Sequence, residues 1–292
     1  MKKEFKIPFE IHEIEQFSTE EEIMHSLVEL YKLMIEQLYV FCNNKYIETN
    51  GDYKTIENLE SVISGNVVRL IKLNTSFLQN ICEGKSEICF ILDRCISETC
   101  LNLKLILQDE SERSRYIKYS LKTEKKLYET ITENIEARNG EELPIETRMK
   151  QSIERSFDDS GFKLDEISKN FKWKNIYERT KAVGEELFYK TQYGISSHSV
   201  HGNWQEIMFN HLIKTENGFQ INLSWKTPRP QLIEGALFAS LDTILVLLEK
   251  EIENGEFKNE VTKNSKMLKA ATLLLTARHE QLINNNNNNN NR

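Results

Sequence analysis

Apolar residues recur at three- and four-residue intervals along most of this chain, the period of one buried helix face. Ser18-Thr19-Glu20-Glu21-Glu22 predicts a helix start with acids where the helix dipole favours them, and Ile23, Leu27, Leu30, Leu33, Ile35, Leu38 and Phe41 continue it. Asn50-Gly51-Asp52 breaks the pattern, and a second helix is expected from about Lys54 to Cys82, ended by Gly84. A third, from about Ser86 to Gln108, is the most apolar and should be the central one. A fourth, from about Ser111 to Arg138, is charged and closes at Asn139-Gly140. Residues 143–164 read as a polar connector with a short helix, and residues 1–17 as an irregular arm.

Beyond the connector, helices are expected at Asn175 to Val183 and, after Gly184, from Glu185 to about His201. Asn217-Gly218 between apolar runs predicts a β-hairpin within residues 209–225. Pro228-Arg229-Pro230 opens a helix through Leu248, and a last one spans about Thr262 to Leu282 before a low-complexity tail expected to be disordered. The fold class is therefore mainly α, a multi-helix bundle with one small hairpin. The domain reading is an N-terminal arm and helical extension (1–57), a helical core (58–250), a C-terminal helix (251–283) and the asparagine-rich tail (284–292).

Composition narrows the function. Only 4 prolines and 11 glycines occur in 292 residues, which suits long helices and short loops. The net charge of -7 argues against a broad grip on nucleic acid, though not against a small basic pocket. The five cysteines form no CxxC pair and read as reduced, buried thiols of a cytoplasmic protein. Met1 to Phe9 lacks the apolar centre of a signal peptide, and no apolar run reaches the ~18 residues of a membrane span, so no membrane partner is expected.

Two constellations could carry chemistry. In the predicted helix ending at His201, Ser197 and His201 share a face, Tyr193 extends it back one turn, and Tyr189 and Asn203 flank it. A histidine at a helix C-terminus beside hydroxyls could bind an anion or move a proton; equally it could simply cap the helix. His198, His201 and His211 lack the Glu-x-x-His spacing of a metal site, so neither metal nor cofactor is expected. In the third helix, Arg94 and Glu98 stand one turn apart among apolar residues, either as an internal ion pair or as an anion-binding centre. Trp173 reads as a staple between the connector and the second half.

Arg94-x-x-x-Glu98, Tyr116 and Tyr119, Trp173, Gly184, Tyr189-x-x-x-Tyr193 and Ser197 to Gly202 follow one another in an order that resembles the bacterial helical family catalogued as domain of unknown function fifty-six seventy-seven, over roughly Asn58 to Leu248. The resemblance implies a bundle in which the Arg/Glu helix and the Ser/His helix meet. A more distant likeness is to HEPN-type ribonucleases, whose Arg-x4–6-His motif is not matched here. Three functional readings stand. One is a regulatory or binding protein whose intra-bundle site takes an anionic small molecule, a nucleotide or a partner. The second is a metal-independent ribonuclease or phosphodiesterase of bacterial defence, with His201 as acid/base and Arg94, oriented by Glu98, as phosphate clamp. The third is a scaffold without a site. Long apolar helices would also suit a homodimer.

Overall fold

The computed structural model describes residues 5–290. The chain opens with a single turn, α1 (Ile11–Ile14), followed by three long helices: α2 (Glu20–Tyr46), α3 (Asn58–Cys82) and α4 (Ser86–Gln108). Thr19 caps α2 by accepting the Glu22 N–H at 3.2 Å, and Glu22 returns the bond to the Thr19 N–H at 3.0 Å, the reciprocal box its sequence predicts. The second helix starts four residues later than its periodicity suggested, because Ile47 and Tyr53 pair in an isolated bridge across the Asn50-Gly51 turn.

The core is a five-helix assembly. α4 packs between α3 and α11 (Pro230–Glu251), α11 packs on α2 and on α12 (Glu256–Asn290), and α2 closes the ring on α3. Leu27, Leu30 and Leu38 of α2, Phe77 of α3, Ile96 of α4, Leu237 and Ile244 of α11 and Leu268 of α12 are all sealed in one cluster. The N-terminal and C-terminal helices therefore share one core with residues 58–250. Among the described residues α11 alone is long and apolar enough to cross a membrane by length and composition. Its Leu232, Ile233, Leu237, Leu241, Ile244 and Leu247 are buried inside the bundle. At its centre the Tyr31 hydroxyl donates to the Asn74 side-chain carbonyl, which also accepts from the Ser240 hydroxyl at 3.2 Å, so three helices share one buried acceptor.

α5 (Glu110–Ala137) leaves the bundle and folds back through α6 (Pro144–Ser160). The expected polar connector is thus mostly a 17-residue helix, started by Pro144 and stopped by Gly161, which adopts a left-handed φ of 71°. Met149, Ile153 and Phe157 form a narrow apolar stripe that meets Leu121 and Ile131 of α5 in a second, small core; so few apolar positions in a charged stretch hid the length of the expected short helix.

The second half is built from short pieces: α7 (Ile176–Ala182), α8 (Glu186–Phe188), a π-helical turn (Tyr189–Tyr193), α9 (Gly194–His201) and α10 (Trp204–Asn210). The helix expected from Glu185 to His201 therefore runs from Glu186 to His201, with one π-helical turn inside it. β1 (Leu212–Thr215) and β2 (Gly218–Ile221) form the predicted hairpin, with Glu216 and Asn217 as its loop. Gly218, at φ 150°, carries the conformation only glycine adopts easily, so the glycine of the Asn-Gly signal makes the turn.

The asparagine tract was expected to be disordered, but α12 runs on through Asn290. Extending an existing helix costs far less than nucleating one. Residues 291–292 of that tail, and Met1 to Glu4 of the arm, lie outside the described residues. Of the cysteines, Cys89 and Cys100 are buried, and burial pushes their thiols up to about 12 and about 11. Cys82, expected to be buried, is exposed at the C-terminal end of α3.

Candidate functional site

α4 presents two adjoining faces to the second half of the chain. Along one, Arg94, Glu98 and Asn102 recur every turn. Arg94 Nε donates to Glu98 Oε1 at 2.6 Å, its NH1 donates to the Tyr193 carbonyl oxygen at 3.1 Å, and its NH2 donates to the Tyr193 hydroxyl. That hydroxyl in turn donates to Glu98 Oε1 at 3.2 Å. The guanidinium lies over the Tyr193 ring, Tyr193 stacks on Tyr189 with centroids 5.3 Å apart, and Tyr189 meets Tyr177 edge-on at 5.4 Å. The π-helical turn sets Tyr193 against this face of α4, while Thr191 and Ile195 line a groove on the adjoining face.

One turn further along, Asn102 accepts from Arg179 NH1 at 3.0 Å, and Arg179 Nε donates to the Lys174 carbonyl at 2.7 Å. Arg179 is buried with its guanidinium 3.9 Å over Trp173. Desolvation presses the Arg179 pKa downward. The Trp173 indole donates to Glu112 at 2.6 Å and packs edge-on against Tyr116, so it fastens the connector to α5.

The other face of α4 opens on a groove of about 820 Å³. Phe90, Ile195, Phe209 and Leu232 give it apolar walls; Ser86, Asp93, Asn210, Glu20, Lys226 and Arg229 supply its polar groups. The segment Lys226–Arg229 closes one side, tied to the start of α4: the Ser86 N–H donates to the Lys226 carbonyl at 3.0 Å, and Glu87 accepts from the Lys226 N–H at 3.2 Å. The Lys226 ammonium sits 3.6 Å over the Phe209 ring. Arg229, the residue before α11, is exposed and makes no ion pair among the described residues. Below the Glu20 end lies His279, 1% exposed, its Nε2 3.4 Å from Glu20 and its Nδ1 3.7 Å from Glu234, neither at hydrogen-bond geometry.

Burial holds the Glu234 carboxyl above its ordinary range, opposed by His279. A carboxyl raised in the folded state contributes stability that is present below the unfolded pKa of about 4.3 and lost as pH rises through the folded value. Urea unfolding of Glu234→Gln should therefore lose less stability than wild type on going from pH 4.5 to pH 8; parallel pH profiles would show that Glu234 carries no such burden.

The structure brings Arg94, Glu98, Tyr193 and Tyr189 together. It does not bring His201 to them. Eight residues of helix separate Tyr193 from His201, a rise of about 12 Å, and His201 is exposed before Gly202, whose φ of 55° ends α9. Asn203 caps α10 by accepting the Glu206 N–H at 3.0 Å, and its amide meets His198. Ser197 is half-buried on α9 between the two groups. A phosphate reaching Arg94 would have to displace Tyr193 or Glu98, since both already hold its donors. Sequence reasoning missed the groove, because Phe90 looks like an ordinary core position and Arg229 like a loop residue. It assigned nothing to His279. The Pro-Arg-Pro helix start was the one available signal.

No curated protein and no solved structure matches the chain. A family model described as a family of unknown function, DUF5677, matches residues 60–220, a span that holds the Arg94–Glu98 pair, Trp173, Arg179 and the Tyr189–Tyr193 turn. On that match over more than half its length, the chain belongs to this family.

Proposed function

We propose that this protein is a helical binding protein whose groove takes a small amphipathic organic anion with a single acidic group. The observation that carries the reading is the meeting, in one cavity of about 820 Å³, of apolar walls with Arg229 and the N-terminal end of α11. The volume falls in the range of small-molecule sites, which are mostly apolar with a few convergent polar groups. The N-terminus of a 22-residue helix favours negative charge, and Arg229 adds a full cation beside it. Glu20 and Asp93 at other points of the wall disfavour a second acidic group on the ligand. The Arg94–Glu98–Tyr193 lock supports the site indirectly, by holding the turn that places Thr191 and Ile195 in the wall.

The test is a thermal-shift and calorimetric screen of acyl carboxylates, aryl carboxylates and nucleoside monophosphates. At least one class should raise the melting temperature of wild type. Ile195→Trp, at an exposed position of the wall, should abolish the shift by filling the groove. Arg229→Glu should weaken binding at least tenfold, as expected for losing a charge-assisted contact. No shift with any class, or equal shifts in wild type and both variants, would sink the reading.

A further inference from the structure

From α10 to Trp225 the chain stands off the bundle. α10 packs on α9 and on β1, and the hairpin has no more than marginal contact with the bundle helices. Phe219, Ile221, Leu223 and Trp225 alternate with Gln220, Asn222 and Ser224, the period of an extended strand with one apolar face. Only the first part of that run is paired with β1, and the chain bends at Ser224, whose N–H donates to the Asn222 side chain at 3.1 Å. The four apolar residues are 40%, 75%, 89% and 54% exposed. Trp204, Phe209 and Ile213 of the same arm are also at least half exposed, so two of the chain's three tryptophans stand in solvent here. With Trp204, which packs edge-on against Phe219, the four strand residues expose more apolar surface than the few hundred Å² that monomers usually leave in one patch.

The backbone points the same way. Gln220 pairs with Ile213, and the Asn222 N–H donates to the His211 carbonyl at 2.8 Å, so the even-numbered residues face β1. By alternation the N–H and C=O groups of Phe219, Ile221 and Leu223 face outward from an unpaired edge. β1 has Lys214 to guard its own outer edge, but no charged residue occurs from Gly218 to Trp225. An isolated two-stranded hairpin is marginal in water.

We infer that this edge pairs with a second copy of the chain, antiparallel strand to strand across a twofold axis at Asn222. That register sets Ile221 opposite the second copy's Leu223 as outward hydrogen-bonding positions, with Phe219 and Trp225 flanking the paired stretch. The contact is isologous and closed, so each copy covers the patch and the edge of the other. A second copy is favoured over an unrelated protein because it alone is bound to offer the same unpaired, uncharged edge and an equal apolar area. It is favoured over an anionic bilayer because the arm from Trp204 to Trp225 carries only Lys214 against Glu206 and Glu216.

The test is sedimentation velocity on the full chain from 1 to 100 µM. Wild type should run as a dimer, twice 34.3 kDa, and Ile221→Lys with Leu223→Lys should weaken association at least tenfold with an unchanged circular dichroism spectrum. Independently, with the exposed Cys82 changed to Ser, Asn222→Cys should cross-link to a covalent dimer on oxidation, because a residue on the axis faces its own twin. Gln220→Cys should not. A monomer at 100 µM, a dimer indifferent to the two lysines, or equal cross-linking of both cysteine variants would overturn the inference. So would a monomer that floats with phosphatidylcholine vesicles, which would assign the face to a membrane.

Discussion

Replacing Glu251 by alanine should lower the unfolding free energy by about 3 kcal/mol, since removing one member of a buried ion network leaves the other charges uncompensated. Glu251, at the C-terminal end of α11, is 7% exposed. Its carboxylate pairs with Lys45 at the end of α2 and, at 3.3 Å, with Arg113 at the start of α5. Glu60, at the start of α3, completes the network at 3.1 Å from Lys45 and 3.6 Å from Arg113. Four helix ends therefore meet on two acids and two bases, all at least three-quarters buried. Without Glu251, two cations would share one acid away from water. By contrast, breaking the exposed Lys32–Glu29 pair should change stability by no more than about 0.5 kcal/mol. Urea unfolding followed by far-ultraviolet circular dichroism measures both. A loss below about 1 kcal/mol for Glu251→Ala would mean that water reaches the network and screens it.

Arg94→Ala should cost a further large amount, about 3 kcal/mol, from a lost cation–π contact and charge-assisted hydrogen bonds. The effect should be local before it is global. Among the described residues Arg94 is the one side chain that grips both the carbonyl and the ring of Tyr193, so the π-helical turn loses this tie to α4 when it goes. Amide hydrogen exchange over residues 186–201 should accelerate by more than the global destabilisation explains, because this segment consists of short pieces with few other buried contacts. Arg94→Lys should rescue little, since an ammonium cannot span Glu98, a carbonyl and a ring at once. Unchanged protection of residues 186–201 in Arg94→Ala would show that the turn is held by something else. Loss of groove binding in the same variant would tie the lock to the wall it supports.

Both predictions concern charged groups whose partners lie far away in sequence, and they mark where sequence reading stops. The long helices were legible because their apolar positions repeat every three or four residues and their ends carry recognisable caps. Thr19 with Glu22, Gly84 and Pro230 all act as their residue types dictate. The hairpin was legible for the same local reason, the conformational freedom of Gly218. Where local signals were weak, the reading failed in a consistent direction. The short helix expected in the connector was read too short because the apolar stripe of α6 is one residue wide, and the π-helical turn inside the helix before His201 was missed because such a turn has no sequence signature.

By itself the sequence determined that this is a mainly α protein, that Arg94 and Glu98 share a helix face, and that Tyr189 and Tyr193 belong with them in one family pattern. Only the tertiary structure decided what those residues do. Arg94 spends its donors on Tyr193 and Glu98, while His201 lies about two helical turns away on the surface. The groove is likewise a property of the fold, since it gathers Glu20, Phe90, Ile195, Phe209 and Arg229 from five separate segments. Periodicity reports which face of an element is buried. It carries no information on which faces of different elements meet, because that is settled by long-range packing and by the desolvation of charges that only the folded chain brings together.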